Sequence, residues 1–289
     1  MFILRKFKYL LPRIALERIY TSMIRPVLEF GNVIYDSASL SAGQALETIQ
    51  RQAAIIVSGA YRHTRHDLLL SELGWEDLAS RRKYHKICVF YKIIHKIYPN
   101  YLHRYIIFPT PTPYNLRTQQ QLLPRHTRLT SSFNSFFPSC TREWNNISPH
   151  IQNSISFNTF KSLIRPKTTT NIRYNRLCNG KQGRWLSRLR MGLSALNQHR
   201  FHYHFIPSPI CPLCRTHSES TSHYFFHCPT HNLARIGLFF RLESELGINN
   251  NNLDTLLETI LFGKFISPIN YKNLLDIVYE YLDTTGRFI

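Results

Sequence analysis

The feature that most constrains this chain is a cluster of metal-ligand residue types in its last third. Two residues separate Cys211 from Cys214, and His223 and Cys228 follow after gaps of eight and four residues. Two thiolates at the first spacing can bind one zinc ion from a tight turn, and the later His and Cys complete a tetrahedron. Because four such ligands leave no coordination position open, the spacing predicts a structural Zn²⁺ site rather than a catalytic one.

Neighbouring histidines leave the third ligand of this cluster open. His217, His227 and His231 lie close to His223 in the sequence, and each can take its place. The chain has six cysteines in all, too few and too unevenly spaced for a disulfide framework. Their distribution favours a metal site in a reducing compartment.

The positive charge of the chain is concentrated in its middle. The 289 residues include 36 Lys and Arg against 17 Asp and Glu, a formal net charge of +19. Residues 101–210 contain 15 basic residues and a single acidic one, Glu143. Such a balance favours a polyanionic partner, with nucleic acid as the first choice and an anionic membrane surface as the second.

Candidate nucleic-acid contacts are the cations of the basic middle and of one basic helix start. Phosphate contacts by such side chains supply affinity without sequence information and weaken steeply with salt. The candidates are Arg81, Arg82, Lys83, Lys86, Arg117, Arg125, Arg128, Arg173, Arg176, Lys181, Arg184, Arg188 and Arg190.

Aromatic residues interleave with these cations. Tyr114, Trp144, Tyr174 and Trp185 have the chemistry to stack on bases. For each ring taken alone, packing in a hydrophobic core is the better expectation.

Hydrophobic periodicity predicts a mainly α fold. Helices are predicted over 12–30, 42–60, 76–98, 183–200, 233–246 and 270–283. Seven prolines and poor helical periodicity predict irregular structure with short strands or turns over 105–170, although its aromatic residues require burial. The expected architecture is a small helical bundle, an irregular basic middle segment, and a zinc-knuckle module flanked by helices.

These patterns of charge and periodicity divide the chain into four predicted segments. They are a helical domain over 1–100, a basic Pro- and aromatic-rich segment over 101–170, a linker over 171–182, and a zinc-binding domain with C-terminal helices over 183–289.

Paired carboxylates that could hold two catalytic metal ions are not evident. Asp36 stands alone, and Glu76-Asp77 lies at a predicted helix start, where acidic side chains interact favourably with the helix dipole. We therefore expect no polymerase activity and no small-molecule substrate. No apolar run approaches the ~20 residues of a membrane helix, and charge interrupts the N-terminus too early for a secretory signal. We expect a protein that is not secreted and has no membrane partner.

Several short segments occur along the chain in a characteristic order. They are 11–13 (LPR), 24–31 (IRPVLEFG), 49–53 (IQRQA), 135–139 (SFFPS), 142–145 (REWN), 190–197 (RMGLSALN), the Cys/His cluster, and 284–288 (TTGRF). In this order they resemble the C-terminal region of the reverse transcriptase of LINE-type (non-LTR, jockey-like) retrotransposons. The resemblance covers nearly the whole chain.

The resemblance carries expectations about function. It implies that residues 1–100 form a thumb-like part that grips a primer–template duplex, and that the zinc region engages template RNA or target DNA. The family's paired-aspartate box would lie upstream of Met1, so the chain is expected to be a fragment. Its expected partners are RNA and/or DNA, with the missing N-terminal part of the polymerase as a further candidate. Action in the nucleus and cytoplasm is expected. The alternative is a zinc-stabilised protein-interaction module co-opted from a retroelement.

Overall fold

The computed structural model describes residues 1–36, 39–109, 121–165, 172–249 and 252–288. Within these ranges the chain is helical and contains no strand, which confirms the mainly α prediction. Extended pairing there is limited to two isolated antiparallel bridges, Ile107 with Leu123 and Ile210 with Ser218. None of the described helices has the length and hydropathy that a membrane span requires.

The described residues up to 103 form eight α-helices. They are α1 (Phe2–Phe7), α2 (Arg13–Ile19), α3 (Arg25–Glu29), α4 (Asn32–Tyr35), α5 (Leu40–Ser58), α6 (His66–Leu73), α7 (Leu78–Ile94) and α8 (Asn100–His103). A π turn over Tyr20–Ile24 joins α2 to α3, so the helix predicted over 12–30 is present with a local widening. The predicted acidic helix start is also present, because the carboxylate of Asp77 accepts a hydrogen bond from the Ser80 amide at 2.7 Å and caps α7.

The rest of the described chain adds ten α-helices. They are α9 (Thr130–Phe133), α10 (Phe136–Asn145), α11 (Pro149–Gln152), α12 (Phe157–Ile164), α13 (Ile172–Leu177), α14 (Gly180–Arg190), α15 (Asn197–His202), α16 (Asn232–Leu246), α17 (Leu253–Phe262) and α18 (Tyr271–Thr285). Short turns add a π turn over His223–His227 and 3₁₀ turns over Pro229–His231 and Pro268–Asn270.

The helix predicted over 183–200 is two helices. α14 ends because Gly192 adopts a left-handed backbone with φ +66°. The Leu193 amide then donates to the Arg188 carbonyl at 2.8 Å, a hydrogen-bonding pattern typical of glycine-terminated helices. The chain re-enters a helix only at Asn197.

The described part of 105–170 is partly helical. Residues 105–109 and 121–129 contain no helix, as predicted, whereas residues 130–164 form four helices, so the prediction of irregular structure was wrong there. Its prolines do not break the helices, since Pro149 opens α11 and Pro138 lies in the first turn of α10, where backbone N–H groups have no intrahelical partner. Burial is confirmed for two of its aromatic residues, whereas Phe133 is exposed. Trp144 and Phe160 are buried, and the Phe160 ring stacks on Tyr91 with centroids 4.3 Å apart.

The chain divides into two compact units whose boundaries differ from the predicted segments. Unit 1 comprises residues 1–24, 51–75 and 169–289, and unit 2 comprises 25–50 and 76–168. The predicted linker over 171–182 contains α13 and the start of α14. Tyr174 in α13 is fully buried and donates to the Ile260 carbonyl at 2.8 Å, so this stretch belongs to the core of unit 1.

Each unit has its own hydrophobic core. In unit 1, side chains of α14, α17 and α18 pack with Tyr224 and Phe225 of the π turn, and Tyr281 stacks on Phe225 at 5.3 Å. In unit 2, one face of α7 packs against α10 and α12 through Phe90, Tyr91 and Trp144. The π turn is thus held by the core of unit 1, which fixes the residues on either side of it.

Candidate metal centre

Four side chains of unit 1 bring their donor atoms together. The donor atoms are the sulfurs of Cys211, Cys214 and Cys228 and a ring nitrogen of His223. All four atoms lie within 4.8 Å of one another. Cys211 Sγ lies 3.9 Å from Cys228 Sγ, and Cys214 Sγ lies 3.4 Å from His223 Nε2. The cluster can therefore hold a metal ion.

A tight turn presents the first two ligands. The Arg215 amide donates to the Cys211 carbonyl at 2.9 Å, and the Cys211 amide donates to the His217 carbonyl at 2.8 Å. Arg215 completes the turn in a left-handed conformation with φ +59°. These bonds fold residues 211–217 back on themselves, so that both thiols lie on the inside of the turn.

The π turn presents the other two ligands. His223 begins this turn, and its amide donates to the Ser220 hydroxyl at 2.9 Å. The Cys228 amide donates to the His223 carbonyl at 2.8 Å and closes the turn between the two ligands. Both ligands are buried, because the residues between them, Tyr224 and Phe225, insert into the core of unit 1.

The structure favours His223 over the neighbouring histidines. His217 is exposed, and its Nδ1 lies 2.9 Å from the Thr216 hydroxyl. His227 is exposed, with its Nδ1 3.2 Å from a backbone carbonyl. His231 is buried but packs edge-on against Tyr224.

Two arginines, Arg235 and Arg287, make hydrogen bonds beside the cluster. The sequence alone did not indicate these contacts. Glu219 is buried and accepts two hydrogen bonds from the Arg287 guanidinium at 2.6 and 2.7 Å. Arg235 donates to the carbonyls of Phe225 and Cys228 and so fixes the backbone that carries the last ligand. Both arginines add positive charge beside a site where thiolates concentrate negative charge.

The two thiols of the turn differ in acidity. A hydrogen bond from the Thr216 hydroxyl, 3.3 Å from the sulfur, lowers the pKa of Cys214 to about 5. Burial raises the pKa of Cys211 to about 11. Since the thiolate is the ligand form, a metal ion must displace the proton of Cys211, which makes metal binding depend on pH.

Ion pairs within unit 2 occupy three of the four candidate cations on α7. Arg81 pairs with Glu29, and Arg82 pairs with Asp36 at 3.4 Å. Lys86 has a side chain only 4% exposed, 2.5 Å from Asp36 and 3.3 Å from Glu143. The prediction that Arg82 and Lys86 contact nucleic acid was wrong, because both are buried. Lys83 is exposed.

Arg190, a candidate contact in unit 1, is structural as well. Its side chain is 1% exposed and lies 2.5 Å from Glu72, which also receives Arg13 at 2.7 Å. This prediction is corrected, since a guanidinium enclosed with its carboxylate cannot reach a phosphate. Arg176 is partly exposed but donates two hydrogen bonds to Glu17.

The remaining candidates fall into three groups. Arg125, Arg128 and Arg173 are exposed. Lys181 pairs weakly with Asp283 at 3.6 Å, while Arg184 and Arg188 lie over the rings of Tyr9 and Tyr61. Arg117 lies outside the described residues.

The aromatic residues considered for base stacking are core residues where they are described. Trp144 and Tyr174 are buried, and Trp185 packs against Phe288 with ring centroids 5.8 Å apart. Tyr114 lies outside the described residues.

A basic and aromatic cleft in unit 1 escaped the sequence reasoning. Its volume is about 590 Å³, and residues 61–65 and 193–205 line it. The run NQHRFHYHF over 197–205, dense in histidine and aromatic residues, is the sequence signal from which it could have been found. We call this feature the aromatic cleft and define it by Tyr61, Arg62, Arg200, Tyr203 and Phe205.

Comparison with protein-family models, with curated proteins and with solved structures finds no match to this chain.

Proposed function

We propose that Cys211, Cys214, His223 and Cys228 bind one structural Zn²⁺. Zinc bonds of about 2.3 Å to sulfur and 2.0–2.1 Å to nitrogen, at tetrahedral angles, separate two sulfurs by about 3.8 Å and a sulfur from a nitrogen by about 3.6 Å. The separations of 3.9 Å and 3.4 Å match these values closely. Three thiolates and one imidazole also form a donor set that suits zinc.

The role proposed for the ion is to organise the surrounding loop. All four positions of the tetrahedron are protein ligands, so none is left for a substrate or an activated water. Residues 203–220 contain no α-helix, and the metal would supply much of their folding free energy. Native mass spectrometry of the purified chain tests this proposal, with one zinc per chain expected.

We propose that the chain as a whole binds nucleic acid. The observation that carries this proposal is the excess of positive charge over residues 101–210, which contain 15 basic residues and one acidic residue, Glu143. Exposed cations such as Arg125, Arg128 and Arg173 keep this charge at the surface. Polyphosphates are the ligands that such a surface favours.

Salt dependence tests the nucleic-acid proposal. Counterion release predicts that RNA or DNA affinity falls steeply between roughly 50 and 200 mM salt, with the logarithm of the binding constant linear in the logarithm of salt. A flat response would contradict electrostatic binding.

Within this proposal, the chain is the nucleic-acid-binding C-terminal region of a LINE-type reverse transcriptase and has no polymerase active site of its own. The ordered sequence segments and the Cys/His cluster that follows them support this origin. Such a protein would act on RNA in the cytoplasm and on DNA in the nucleus. Primer extension by the purified chain would contradict the absence of polymerase activity.

A second candidate function is a zinc-stabilised module that binds another protein. It is favoured by an exposed apolar stripe on α16, where Leu233, Ile236 and Phe240 recur at helical spacing. Competition separates the two candidates. If an acidic protein binds the chain and RNA does not displace it, the protein-interaction role is supported.

A further inference from the structure

The aromatic cleft has the size of a ligand site. Its volume of about 590 Å³ lies inside the roughly 300–1,000 Å³ range of small-molecule pockets. Residues 61–65, which follow the end of α5, form one side, and residues 193–205, which include α15, form the other. Both segments belong to unit 1, so the cleft is complete within that unit.

Three aromatic rings line this cleft and remain partly in solvent. Phe205 is 72% exposed and Tyr61 is 44% exposed. Tyr203 lies beside Phe205 with ring centroids 6.5 Å apart. Exposed aromatic rings in a cleft are suited to stack on flat, apolar ligand faces. Tyr61 is also held in place, because the Arg188 guanidinium lies 4.2 Å from its centroid.

The charge at the cleft is positive. Arg62 and Arg200 line it and are exposed, and neither has an ion-pair partner within the described residues. Arg65 also lines it and bonds to Asp67 at the surface. No carboxylate occurs among the described residues that form its walls. A ligand that combines a flat apolar face with a negative charge fits these walls best.

Hydrogen bonds connect the metal-binding loop to one wall of the cleft. The Asn197 amide at the start of α15 donates to Glu219 at 2.6 Å, and the Asn197 side chain donates to the Ile210 carbonyl at 2.7 Å. Ile210 immediately precedes the first metal ligand. α15 carries Arg200 and leads into Tyr203, so the metal-binding loop positions one wall of the cleft.

We propose that the aromatic cleft holds an unpaired base of a single-stranded nucleic acid. The base stacks on Phe205, Tyr203 and Tyr61, and Arg62 and Arg200 contact the adjoining phosphates. This assignment rests on the proposed nucleic-acid-binding function and makes it more specific, since a paired base inside a duplex has no exposed face to offer.

Fluorescence anisotropy of the full chain tests the assignment. The probes are a labelled oligouridine of about twelve nucleotides and a blunt-ended RNA duplex of the same length, within the roughly 4–16 nucleotide range of single-strand sites. Phe205→Ala removes a stacking ring, and Phe240→Ala is its matched control because Phe240 on α16 is 69% exposed and lies outside the cleft. Circular dichroism verifies that both variants keep their helix content.

The expected result is selective loss of single-strand binding. Phe205→Ala weakens oligouridine binding by roughly 5- to 150-fold, the range for loss of one base–aromatic stack. Phe240→Ala changes it by less than about twofold, and neither variant changes duplex binding beyond that. Free uridine monophosphate displaces the strand only at concentrations at least about a hundredfold above the dissociation constant of the strand, because it lacks the flanking phosphates.

Three other results overturn the assignment at different levels. If the unmodified chain binds neither probe, the proposed nucleic-acid function fails, and the cleft assignment fails with it. If it binds both probes and the two variants behave alike, nucleic-acid binding stands and the cleft assignment is wrong. If uridine monophosphate competes at concentrations comparable to the strand, the cleft is a mononucleotide site rather than a polymer site.

Discussion

At the start of α7 the cations face carboxylates, whereas at the aromatic cleft they face solvent. Arg82 and Lys86 share Asp36 inside unit 2. Arg62 and Arg200 in unit 1 line a cleft whose described walls contain no carboxylate. Counted along the sequence, both regions are basic: residues 81–86 contain four basic residues, the cleft segments 61–65 and 193–205 contain three, and none of these segments contains an acidic residue.

The difference shows how positive charge is divided between stability and binding. A cation enclosed with a carboxylate has lost its hydration and contributes to holding helices together, and removing one partner leaves a buried charge behind. A cation with no partner keeps its charge available for a phosphate.

The largest effect is expected from loss of a metal ligand. Cys211→Ser or Cys228→Ser should abolish binding of one metal ion per chain and unfold the loop that positions α15, since structural zinc supplies apparent binding free energies of about 10–16 kcal/mol in zinc-finger peptides. Native mass spectrometry and limited proteolysis over 203–230 measure both effects. Cys88→Ala, at a cysteine in unit 2 outside the cluster, should keep the metal. Full metal content in both Ser variants would contradict the ligand assignment.

The second largest effect is expected on the stability of the fold at low pH, through the carboxylate of Glu72. Burial alone would raise the pKa of Glu72, but Arg190 and Arg13 outweigh it and lower the pKa to about 2. A carboxylate whose pKa is depressed in the folded state stabilises the fold above its unfolded pKa, near 4.3, and this stabilisation is lost as the pH falls toward 2. The shift corresponds to about 3 kcal/mol.

Glu72→Gln isolates this contribution. Urea unfolding of both proteins at neutral pH should show the variant less stable by about 3 kcal/mol, and the difference should shrink between pH 4.5 and 2. A difference that does not change over this pH range would show that the Arg13–Glu72–Arg190 cluster does not depend on the charge of Glu72.

A smaller loss of stability is expected at α7. Lys86→Met leaves Asp36 and Glu143 without their shared cation, and because both carboxylates are partly exposed we expect a cost of about 1–3 kcal/mol. Chemical denaturation measures this cost. RNA affinity measured on the folded variant should remain within about twofold. A tenfold loss of affinity without loss of stability would place Lys86 in the binding surface. It would contradict the structural role assigned to this buried cation.

The smallest effect is expected from the cleft cations. The double variant Arg62→Ala/Arg200→Ala should keep the stability of the fold and reduce the salt slope for oligouridine binding by about 1.4, roughly 0.7 for each phosphate contact. The double variant Lys83→Ala/Lys272→Ala removes the same charge from exposed positions outside the cleft. Equal changes in slope for the two double variants would indicate a general charge effect.

The parts of this protein that could be predicted from sequence are local ones. The ligand cluster follows from spacing within 18 residues, and α5, α7, α16 and α18 follow from helical periodicity. The helices of 130–164 were missed because prolines suggested irregular structure, although Pro138 and Pro149 lie where helices tolerate them.

Long-range pairing could not be predicted in the same way. Glu72 receives Arg13 from 59 residues before it and Arg190 from 118 residues after it. The two walls of the aromatic cleft are separated by more than a hundred residues. Nothing local distinguishes Arg190 from Arg200, yet one is enclosed by the core of unit 1 and the other is exposed.

The most direct test of the central claim is to map where a single strand contacts the chain. Oligouridine containing a photoreactive 5-iodouridine is crosslinked to the full protein, and the crosslinked peptides are identified by mass spectrometry. Crosslinks are expected at the peptides covering 61–65 and 193–205, with none at 81–86. Crosslinks confined to 81–86 would contradict this, and would place nucleic-acid binding at the start of α7, where three of the four cations pair with carboxylates.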